Sequence, residues 1–460
     1  MMMKLTFLGA ADTVTGSKYL LQCNGLTILI DCGLYQGVKK LRSRNWQSFP
    51  IEVKKLDAVI LTHAHIDHSG YLPALMKQGY EGPVYASKGT SQLCQILLPD
   101  AGYLQEEEAN FANKHKYSRH HPAKPLYTEQ HARQVLKQFK PMTQNQFHSI
   151  KSNREHNQLG CRFMFTPVGH ILGACAVHID DGHKRLVFSG DIGRYDDPIM
   201  HNPDAIEHAD VMVVESTYGD RRHQQLDTQQ ALADIINETV NRGGTVLIPS
   251  FAVGRAQLLL YHIKQLLKEH RIPTIPVYLN SPMAISATDL YKKFNRQLKL
   301  SQQDCAEIDN ITRYVRTQEE SIRLNESTYP AIIISASGMA SGGRVIHHMK
   351  NILPNHRNSL VFAGYQAAGT RGQAIVDGAK ETKIHGQTFQ VKAQVHNIGS
   401  LSAHGDYAEI IHWLGLIKQR PQQVYITHGE SCAADCMRLK VERAFHCNVR
   451  VPELNETVTI

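Results

Sequence analysis

The feature that most constrains the fold is a repeated alternation of short β-branched runs with helical patterns. A polar or glycine-containing turn follows each run, and apolar residues at 3.6-residue spacing often come next. Strands alternating with helices indicate an α/β architecture with helix-covered sheets. The predicted strands are residues 27–30, 58–61, 186–188, 211–214, 246–248, 277–279, 331–334, 359–363 and 424–426. The predicted helices are residues 66–77, 128–139, 228–241, 254–268 and 407–417.

Several of these strands lead directly into residue types that bind metals. In open α/β sheets, functional side chains gather at the carboxyl ends of the strands, where loops present them on a rigid base. We therefore expect the polar residues at these strand ends to converge on one site. They are Asp31, His63, Asp191, Glu215 and His428.

The length and composition set the class of protein. A chain of 460 residues exceeds what one hydrophobic core usually serves, which predicts two domains or one domain with a large insertion. We expect a soluble protein without a membrane partner, because the sequence contains neither a membrane-length apolar run nor a signal-peptide pattern. Nine cysteines without a CxxC pair indicate reduced thiols and a cytoplasmic location.

The most specific motif is the run His63-Ala64-His65-Ile66-Asp67-His68. Its three imidazoles and one carboxylate are ligands that zinc prefers at hydrolytic sites. His63 and His65 lie on the loop, whereas Asp67 and His68 open the next helix in another direction, so one loop can serve two metals. A purely structural zinc site is disfavoured, because such sites usually use cysteine and none neighbours the motif.

This motif resembles the signature of the metallo-β-lactamase fold, an αββα sandwich, and the other motifs of that family follow in order. Asp31 resembles the first motif, His170 the third and Asp191 the fourth. The later runs resemble motifs A, B and C of the β-CASP branch, which contains the endonuclease of the pre-mRNA 3′-end cleavage machinery. These runs are Glu215-Ser216-Thr217-Tyr218-Gly219, Ser402-Ala403-His404-Gly405-Asp406 and Thr427-His428-Gly429-Glu430.

The resemblance implies two zinc ions per chain, although the same ligands would also accept manganese or iron. One zinc would be held by His63, His65, His170 and Asp191. The other would be held by Asp67, His68, Asp191 and His428. A hydroxide bridging the two metals would act as the nucleophile. Asp31 would stand behind the ligands and steady the histidine loop.

The same resemblance implies three catalytic residues, Asp67, Glu215 and His404. His404 would act as the general acid that protonates the departing ribose oxygen, because the pKa of an imidazolium suits that task near neutrality. Glu215 would orient His404 and stabilise its positive charge. Asp67 would contribute both as a ligand and as part of the catalytic group.

The stretch between Asp191 and His428 is far longer than a compact sandwich requires. The β-CASP resemblance implies that it holds a second α/β domain, which caps the metals and leaves a cleft for a polynucleotide. We expect residues 1–219 to form the first part of the metallo-β-lactamase domain. Residues 220–380 would form the inserted β-CASP domain, and residues 381–460 would complete the first domain.

Glycine-rich loops in the predicted insertion suit phosphate groups, because backbone amides at a helix start can bind an anion. By spacing alone, an ordinary strand-turn-helix explains each loop equally well. The resemblance to RNA-contacting loops of the family selects Ser337, Gly338, Arg255 and Arg371. His428 favours RNA over DNA, because the RNA-cleaving members have histidine at motif C where the DNA-repair nucleases have an aliphatic residue.

The sequence therefore predicts a zinc-dependent ribonuclease that hydrolyses phosphodiester bonds in RNA processing or decay, with a single-stranded RNA as partner. One alternative is another hydrolase of the same fold, acting on a thioester or a β-lactam. A second alternative is a catalytically silent RNA-binding scaffold, but such proteins lose ligands and this sequence retains all seven. The sequence leaves open which RNA is used, whether cutting is internal or from a 5′ end, and whether the chain forms a homodimer.

Overall fold

A computed structural model describes residues 3–116, 118, 120–150, 160–223, 227–367 and 369–460. The strands are β1 (Lys4–Phe7), β2 (Tyr19–Cys23), β3 (Leu26–Ile30), β4 (Ala58–Ile60), β5 (Val84–Ser87), β6 (Phe139–Met142), β7 (His148–Ser149), β8 (Arg162–Pro167), β9 (Cys175–Asp180), β10 (Arg185–Phe188), β11 (Val211–Glu215), β12 (Val246–Pro249), β13 (Val277–Asn280), β14 (Thr312–Tyr314), β15 (Ile332–Ser335), β16 (Ser359–Ala363), β17 (Glu381–Ile384), β18 (Gln387–Gln390), β19 (Gln394–Ile398), β20 (Gln423–Thr427), β21 (Asn448–Arg450) and β22 (Thr457–Thr459). The helices are α1 (Lys39–Arg42), α2 (Ile66–Ser69), α3 (Leu72–Lys77), α4 (Lys88–His115), α5 (Glu129–Val135), α6 (Thr228–Asn241), α7 (Arg255–Lys268), α8 (Pro282–Lys293), α9 (Gln302–Ile311), α10 (Gln318–Glu326), α11 (Val345–Ile352), α12 (Arg371–Val376), α13 (Tyr407–Gly415) and α14 (Ser431–Phe445).

The chain divides into two compact units. The first holds residues 1–197, 201–222 and 404–460, and the second holds residues 198–200 and 223–403. The second unit therefore runs past the expected boundary at residue 380, and residues 381–403 belong to it rather than to the first unit. The reason is β19, which pairs in parallel with β16 and completes the edge of the second unit's sheet.

The first unit is a sandwich of two seven-stranded sheets. One has the order β22-β1-β2-β3-β4-β5-β6, and the other has the order β21-β20-β11-β10-β9-β8-β7. Apolar side chains of both sheets form one buried cluster, with Phe7 and Ile28 from the first sheet and Phe163 and Phe188 from the second. This arrangement confirms the expected metallo-β-lactamase sandwich.

A disulfide joins the two sheets of the first unit, so two of the nine cysteines differ from the expectation of reduced thiols and the other seven are free. Cys23 ends β2 and Cys161 directly precedes β8. Both side chains are buried in the cluster between the sheets, where the fold brings together two cysteines that lie far apart in the chain. Sequence spacing gave no sign of this pairing.

The strand pairing brings the predicted site residues to the same edges of the sandwich. β3 and β4 run parallel in the first sheet, and β10, β11 and β20 run parallel in the second. The carboxyl ends of parallel neighbours lie side by side, so the residues that follow them are held close together. The residues after the strands are Asp31, His63, Asp191 and His428, and Glu215 is the last residue of β11.

The second unit is built on a six-stranded parallel sheet with the order β14-β13-β15-β12-β16-β19. Its strands are rich in β-branched and aliphatic residues and buried on both faces, as expected where helices cover a parallel sheet. β17 and β18 form a separate antiparallel hairpin. The unit is an α/β domain, which confirms the expected class of the insertion.

Some helices differ from the sequence-based prediction. The predicted helix 66–77 is divided into α2 and α3 near Gly70, where a Cβ atom would lie 2.5 Å from the carbonyl oxygen of Ile66. The predicted helix 128–139 ends as α5 at Val135, and a 3₁₀ turn then leads Phe139 into β6. The long helix α4 was not predicted. None of the described helices combines the length and apolar character that crossing a membrane requires.

Candidate metal centre

The histidine loop is held in place by close backbone packing. The amide of His68 donates to the carbonyl oxygen of His65 at 2.9 Å and starts α2 directly after the loop. Gly33 lies against the same segment, and a Cβ atom there would be 1.5 Å from the carbonyl oxygen of Asp67. Only glycine permits this approach, so the loop after β3 fixes where the histidine loop runs.

A first group of ligand atoms is formed by His63, His65, His170 and Asp191. Nε2 of His63 lies 3.1 Å from Nδ1 of His65, and Nε2 of His170 lies 3.2 Å from the same Nδ1. Oδ2 of Asp191 lies 3.2 Å from Nε2 of His63. Two donors on one tetrahedral zinc lie roughly 3.3 Å apart when each bond is about 2.0–2.1 Å, so the separations fit a shared cation.

A second group is formed by Asp67, His68 and His428. Nε2 of His68 lies 3.1 Å from Nε2 of His428, and the latter lies 3.5 Å from Oδ2 of Asp67. Oδ1 of Asp191 joins this group at 3.2 Å from Nε2 of His68. The two oxygens of the Asp191 carboxylate thus face different ligand groups.

The electrostatics of both groups suit a cation. Burial lowers the pKa of His63 to about 3 and that of His65 to about 4, which keeps the imidazoles neutral as metal ligands require. Burial alone would raise the pKa of Asp191, but His428, His68 and His63 hold it well below its ordinary value. Burial would likewise lower the pKa of His68, yet Asp191 and Asp31 raise it well above the ordinary value, which shows that these carboxylates favour positive charge beside them.

Asp31 and Thr62 orient two of the ligand histidines by contacting their Nδ1 atoms. Oδ2 of Asp31 lies 2.8 Å from Nδ1 of His68, which leaves Nε2 of that ring facing the second ligand group. The Thr62 hydroxyl donates to Asp31 at 2.9 Å and lies 3.0 Å from Nδ1 of His63. Hydrogen bonds of this kind fix the tautomer and direction of metal-binding histidines. Sequence analysis found Asp31 but missed Thr62, whose only signal is its place between the strand and the motif.

His404 lies beside the ligand groups and is paired with Glu215. Nδ1 of His404 is 3.3 Å from Oε1 of Glu215 and 4.0 Å from Oδ2 of Asp191. Burial would lower the pKa of His404, but the carboxylates of Glu215, Asp191 and Asp67 together outweigh burial and raise it. The pair can therefore hold a proton next to the ligand groups.

Glu215 is itself fixed by hydrogen bonds on both carboxylate oxygens. Oε1 accepts from the amide of Ile192 at 2.6 Å, and Oε2 accepts from the hydroxyl of Thr217 at 2.6 Å. The same hydroxyl lies 3.2 Å from Nδ1 of His428. Thr217 thus links the His404–Glu215 pair to the second ligand group. Sequence analysis quoted Thr217 within motif A but gave it no role.

The predicted RNA-binding residues all belong to the second unit, where their loops contact one another. The Oγ of Ser337 accepts from the amide of Ser341 at 3.2 Å, and the Gln366 amide donates to the Gly338 carbonyl oxygen at 3.1 Å. A Cβ atom at Gly338 would lie 2.9 Å from the backbone nitrogen of Phe251. The glycine therefore allows the loops after β12, β15 and β16 to pack closely.

The two arginines predicted to contact phosphate donate hydrogen bonds to backbone carbonyl oxygens of the second unit. Arg255 is only 6% exposed, and its guanidinium donates to the carbonyl oxygen of Ala363. Arg371 donates to the carbonyl oxygens of Ala340 and Lys383. Both guanidinium groups donate to backbone oxygens within the second unit. These hydrogen bonds connect its loops.

Three family models match the chain in succession. A β-lactamase superfamily domain covers residues 27–241, a Beta-Casp domain covers residues 256–375, and a Zn-dependent metallo-hydrolase RNA specificity domain covers residues 388–452.

Named relatives match over nearly the whole chain. Ribonuclease TTHA0252 of Thermus thermophilus is 35% identical over 436 residues, covering 93% of each chain. Transcription termination factor FttA of Methanocaldococcus jannaschii is 29% identical over 468 residues, covering 98% of this chain and 70% of the relative. A crystal structure of a protein of unknown function from Enterococcus faecalis has a TM-score of 0.55 at 13% identity, with both chains fully covered, and shares the fold.

Proposed function

We propose a reaction for this chain, which belongs to the β-CASP family of the metallo-β-lactamase superfamily. The chain is a metal-dependent ribonuclease that hydrolyses phosphodiester bonds. The observation that carries the proposal is the placement of Asp191, whose two carboxylate oxygens face separate groups of ligand atoms. Two cations held close together are suited to in-line displacement at phosphorus.

The ligand set supports zinc as the metal. His63, His65, His170 and one oxygen of Asp191 would hold one ion, and Asp67, His68, His428 and the other oxygen would hold the second. Imidazole nitrogens and carboxylate oxygens without cysteine are typical of catalytic zinc sites, and they also accept manganese or iron. Bound metals of this kind supply Lewis-acid chemistry, which neutralises phosphate charge and activates water.

The side chains beside the ligands account for the proton transfer. His404 donates a proton from its imidazolium to the departing ribose oxygen, since the Glu215 carboxylate favours the protonated ring. Glu215 holds the ring's direction through Nδ1, which leaves Nε2 for the leaving group. Thr217 fixes Glu215 in turn, so that the acid stays in a set position relative to His428. Asp67 would contribute to the reaction as a ligand of the second ion.

The second unit would bind the RNA strand near the glycine-rich loop after β15. Ser337 and Gly338 would present polar and backbone groups to phosphate oxygens. Arg255 and Arg371 would act mainly by holding the neighbouring loops, because their guanidinium groups are bonded to carbonyl oxygens. We propose single-stranded RNA as the substrate, since the strand must reach the buried ligand groups.

The test is hydrolysis of one RNA labelled separately at its 5′ and 3′ ends by the metal-loaded protein. We expect cleavage that requires the metal, and the products from each label will distinguish internal cutting from digestion at a 5′ end. The variant Asp191→Ala is the inactive comparison. Absence of cleavage across a panel of RNAs, with turnover of a thioester or a β-lactam instead, would overturn the proposal. Tight RNA binding without turnover of any of these substrates would favour the silent scaffold.

A further inference from the structure

A groove of about 530 Å³ lies between α13 and α14 in the first unit, outside the metal centre. We call it the α13/α14 groove. Its apolar floor consists of Ile411 and two alanines. Three cationic side chains line it, together with one tyrosine and one histidine. These residues are Arg222, Lys440, Arg443, Tyr407 and His412.

The three cations of the groove are not neutralised by the acidic residues near them. In the described part of the chain, none of the three forms an ion pair. Asp220 has an electrostatic interaction with Lys440, but its ion pair, at 2.8 Å, is with Arg221. Asp435 and Glu442 pair with Arg438 at 2.8 and 3.2 Å on another side of α14. The groove therefore concentrates positive charge beside an apolar floor.

Two of the cations are held in position by the ring of Tyr407. Nζ of Lys440 lies 4.4 Å from the ring centroid, and the guanidinium carbon of Arg222 lies 5.8 Å from it. Such cation–π contacts stabilise a charged side chain without cancelling its charge. The cations are thus arranged in advance for an anion.

The groove is continuous with the catalytic segments along the chain. Arg222 follows the segment that begins with Glu215, α13 starts shortly after His404, and α14 starts shortly after His428. Lys440 lies about 14 Å along α14 from its first residue, at a rise of about 1.5 Å per residue. The segments that form the groove therefore begin close in the chain to the site residues Glu215, His404 and His428.

We propose that the α13/α14 groove binds the sugar-phosphate backbone of the single-stranded RNA substrate, away from the bond that is cut. The inference rests on the proposed ribonuclease function. Repeated phosphates match a row of cations, and apolar contacts suit the sugars and bases of an unpaired strand. The groove helices also lie within residues 388–452, the segment matched by the RNA specificity model. Backbone contacts carry no base readout, so we expect binding here to be independent of sequence.

The test compares two double variants that remove the same charge from the first unit. Lys440→Ala/Arg443→Ala removes two groove cations. Lys418→Ala/Arg438→Ala removes two cations outside the groove, each already paired with an acid. Binding of a 2′-O-methyl 20-mer and of a 2′-O-methyl tetramer is measured at several salt concentrations, and metal content and thermal unfolding are measured for each protein.

We expect the groove variant to bind the 20-mer roughly tenfold more weakly at low salt, with a slope of log K against log salt reduced by about 0.7 for each lost phosphate contact. The control pair should bind like the wild type. The ratio of 20-mer to tetramer affinity should fall only in the groove variant. A 20-mer carrying 4-thiouridine at successive positions should crosslink to the groove when irradiated, and Tyr407→Leu should reduce that product.

The outcomes separate the groove from the ribonuclease function. If the wild type cleaves RNA but both double variants bind the 20-mer equally, the groove does not bind the substrate and the ribonuclease proposal stands. If the wild type neither binds nor cleaves RNA, both proposals fail. If the groove variant binds RNA normally but the groove binds an acidic peptide, the occupant is a protein and the RNA assignment is wrong.

Discussion

Nδ1 of His404 lies 3.3 Å from Oε1 of Glu215, whose side chain is almost completely buried. The two residues are far apart in the chain, since Glu215 ends β11 and His404 lies in the loop that precedes α13. Glu215 also accepts hydrogen bonds from Ile192 and Thr217, so its position does not depend on His404. The pair is therefore arranged as a proton donor with a fixed partner.

Replacing His404 by Ala should lower turnover of RNA by roughly 10²- to 10⁴-fold, the usual effect of losing a positioned acid. The metal content should stay close to that of the wild type, because His404 is not among the proposed ligands. Single-turnover cleavage and metal analysis of the same samples check both statements. His183→Ala, an exposed histidine on a hairpin turn, is the control. Loss of metal from His404→Ala would make His404 a ligand.

The wild-type protein should contain close to two metal ions per chain, and Asp191→Ala should lose most of both. The reason is that each carboxylate oxygen of Asp191 faces a different ligand group. Asp196→Ala removes a carboxylate from the same loop, one that is paired with Arg194 and exposed, and it should retain both ions. Elemental analysis after gel filtration measures the ratio. An active wild-type enzyme with one ion would contradict the two-metal proposal.

Thr62→Val should weaken metal binding by about 10- to 100-fold, which is typical when a partner of a metal-binding residue is removed. The substitution keeps the volume and removes the hydroxyl that contacts Asp31 and His63. Competition with a chelator measures the affinity. Thr457→Val, at an exposed edge strand, should behave like the wild type. Equal affinity in both variants would show that Thr62 does not orient the ligands.

The first unit should lose stability below neutral pH partly through His178. Burial lowers the pKa of this histidine from 6.5 to about 3 in the folded chain. The unfolded state therefore binds more protons between those values, and stability falls as the pH drops through 6.5. Between pH 7.5 and 5 the loss from one such group is about 2 kcal/mol.

Comparison of the wild type with His178→Gln at both pH values isolates this contribution. Trp46 and Trp413 both lie in the first unit, so tryptophan fluorescence during urea unfolding reports that unit. The free energy of unfolding of the variant minus that of the wild type should rise by about 2 kcal/mol from pH 7.5 to pH 5. If this difference does not change with pH, folding does not lower the pKa of His178.

Arg255→Ala should destabilise the second unit by about 1–3 kcal/mol, because it leaves a buried carbonyl oxygen of Ala363 without its donor. Arg357→Ala removes an exposed arginine from the same unit and should have little effect. Urea unfolding followed by circular dichroism measures both variants. If Arg255→Ala weakens RNA binding at unchanged stability, that result would support the predicted phosphate contact.

Much of the fold and of the ligand set follows from local sequence. Short β-branched runs located nine of the twenty-two described strands to within a residue or two at each end, because strand-forming residues cluster over a few positions. The metal-type residues could be named because they stand directly after those strands. Thr228–Asn241 was predicted with the bounds that the structure gives, since Asp227 caps it and its apolar residues keep one spacing.

Tertiary structure alone decided which of these residues meet and which other side chains hold them in position. The pairing of Glu215 with Thr427 across β11 and β20 depends on strand register, which no short window of sequence records. The same holds for Thr62 and Thr217 behind the ligands, for the Cys23–Cys161 disulfide, and for β19, which extends the second unit to Ala403. Sequence by itself determined which residue types stand at the strand ends, because local periodicity locates the strands. Their partners depend on contacts between distant segments, and only folding creates those contacts.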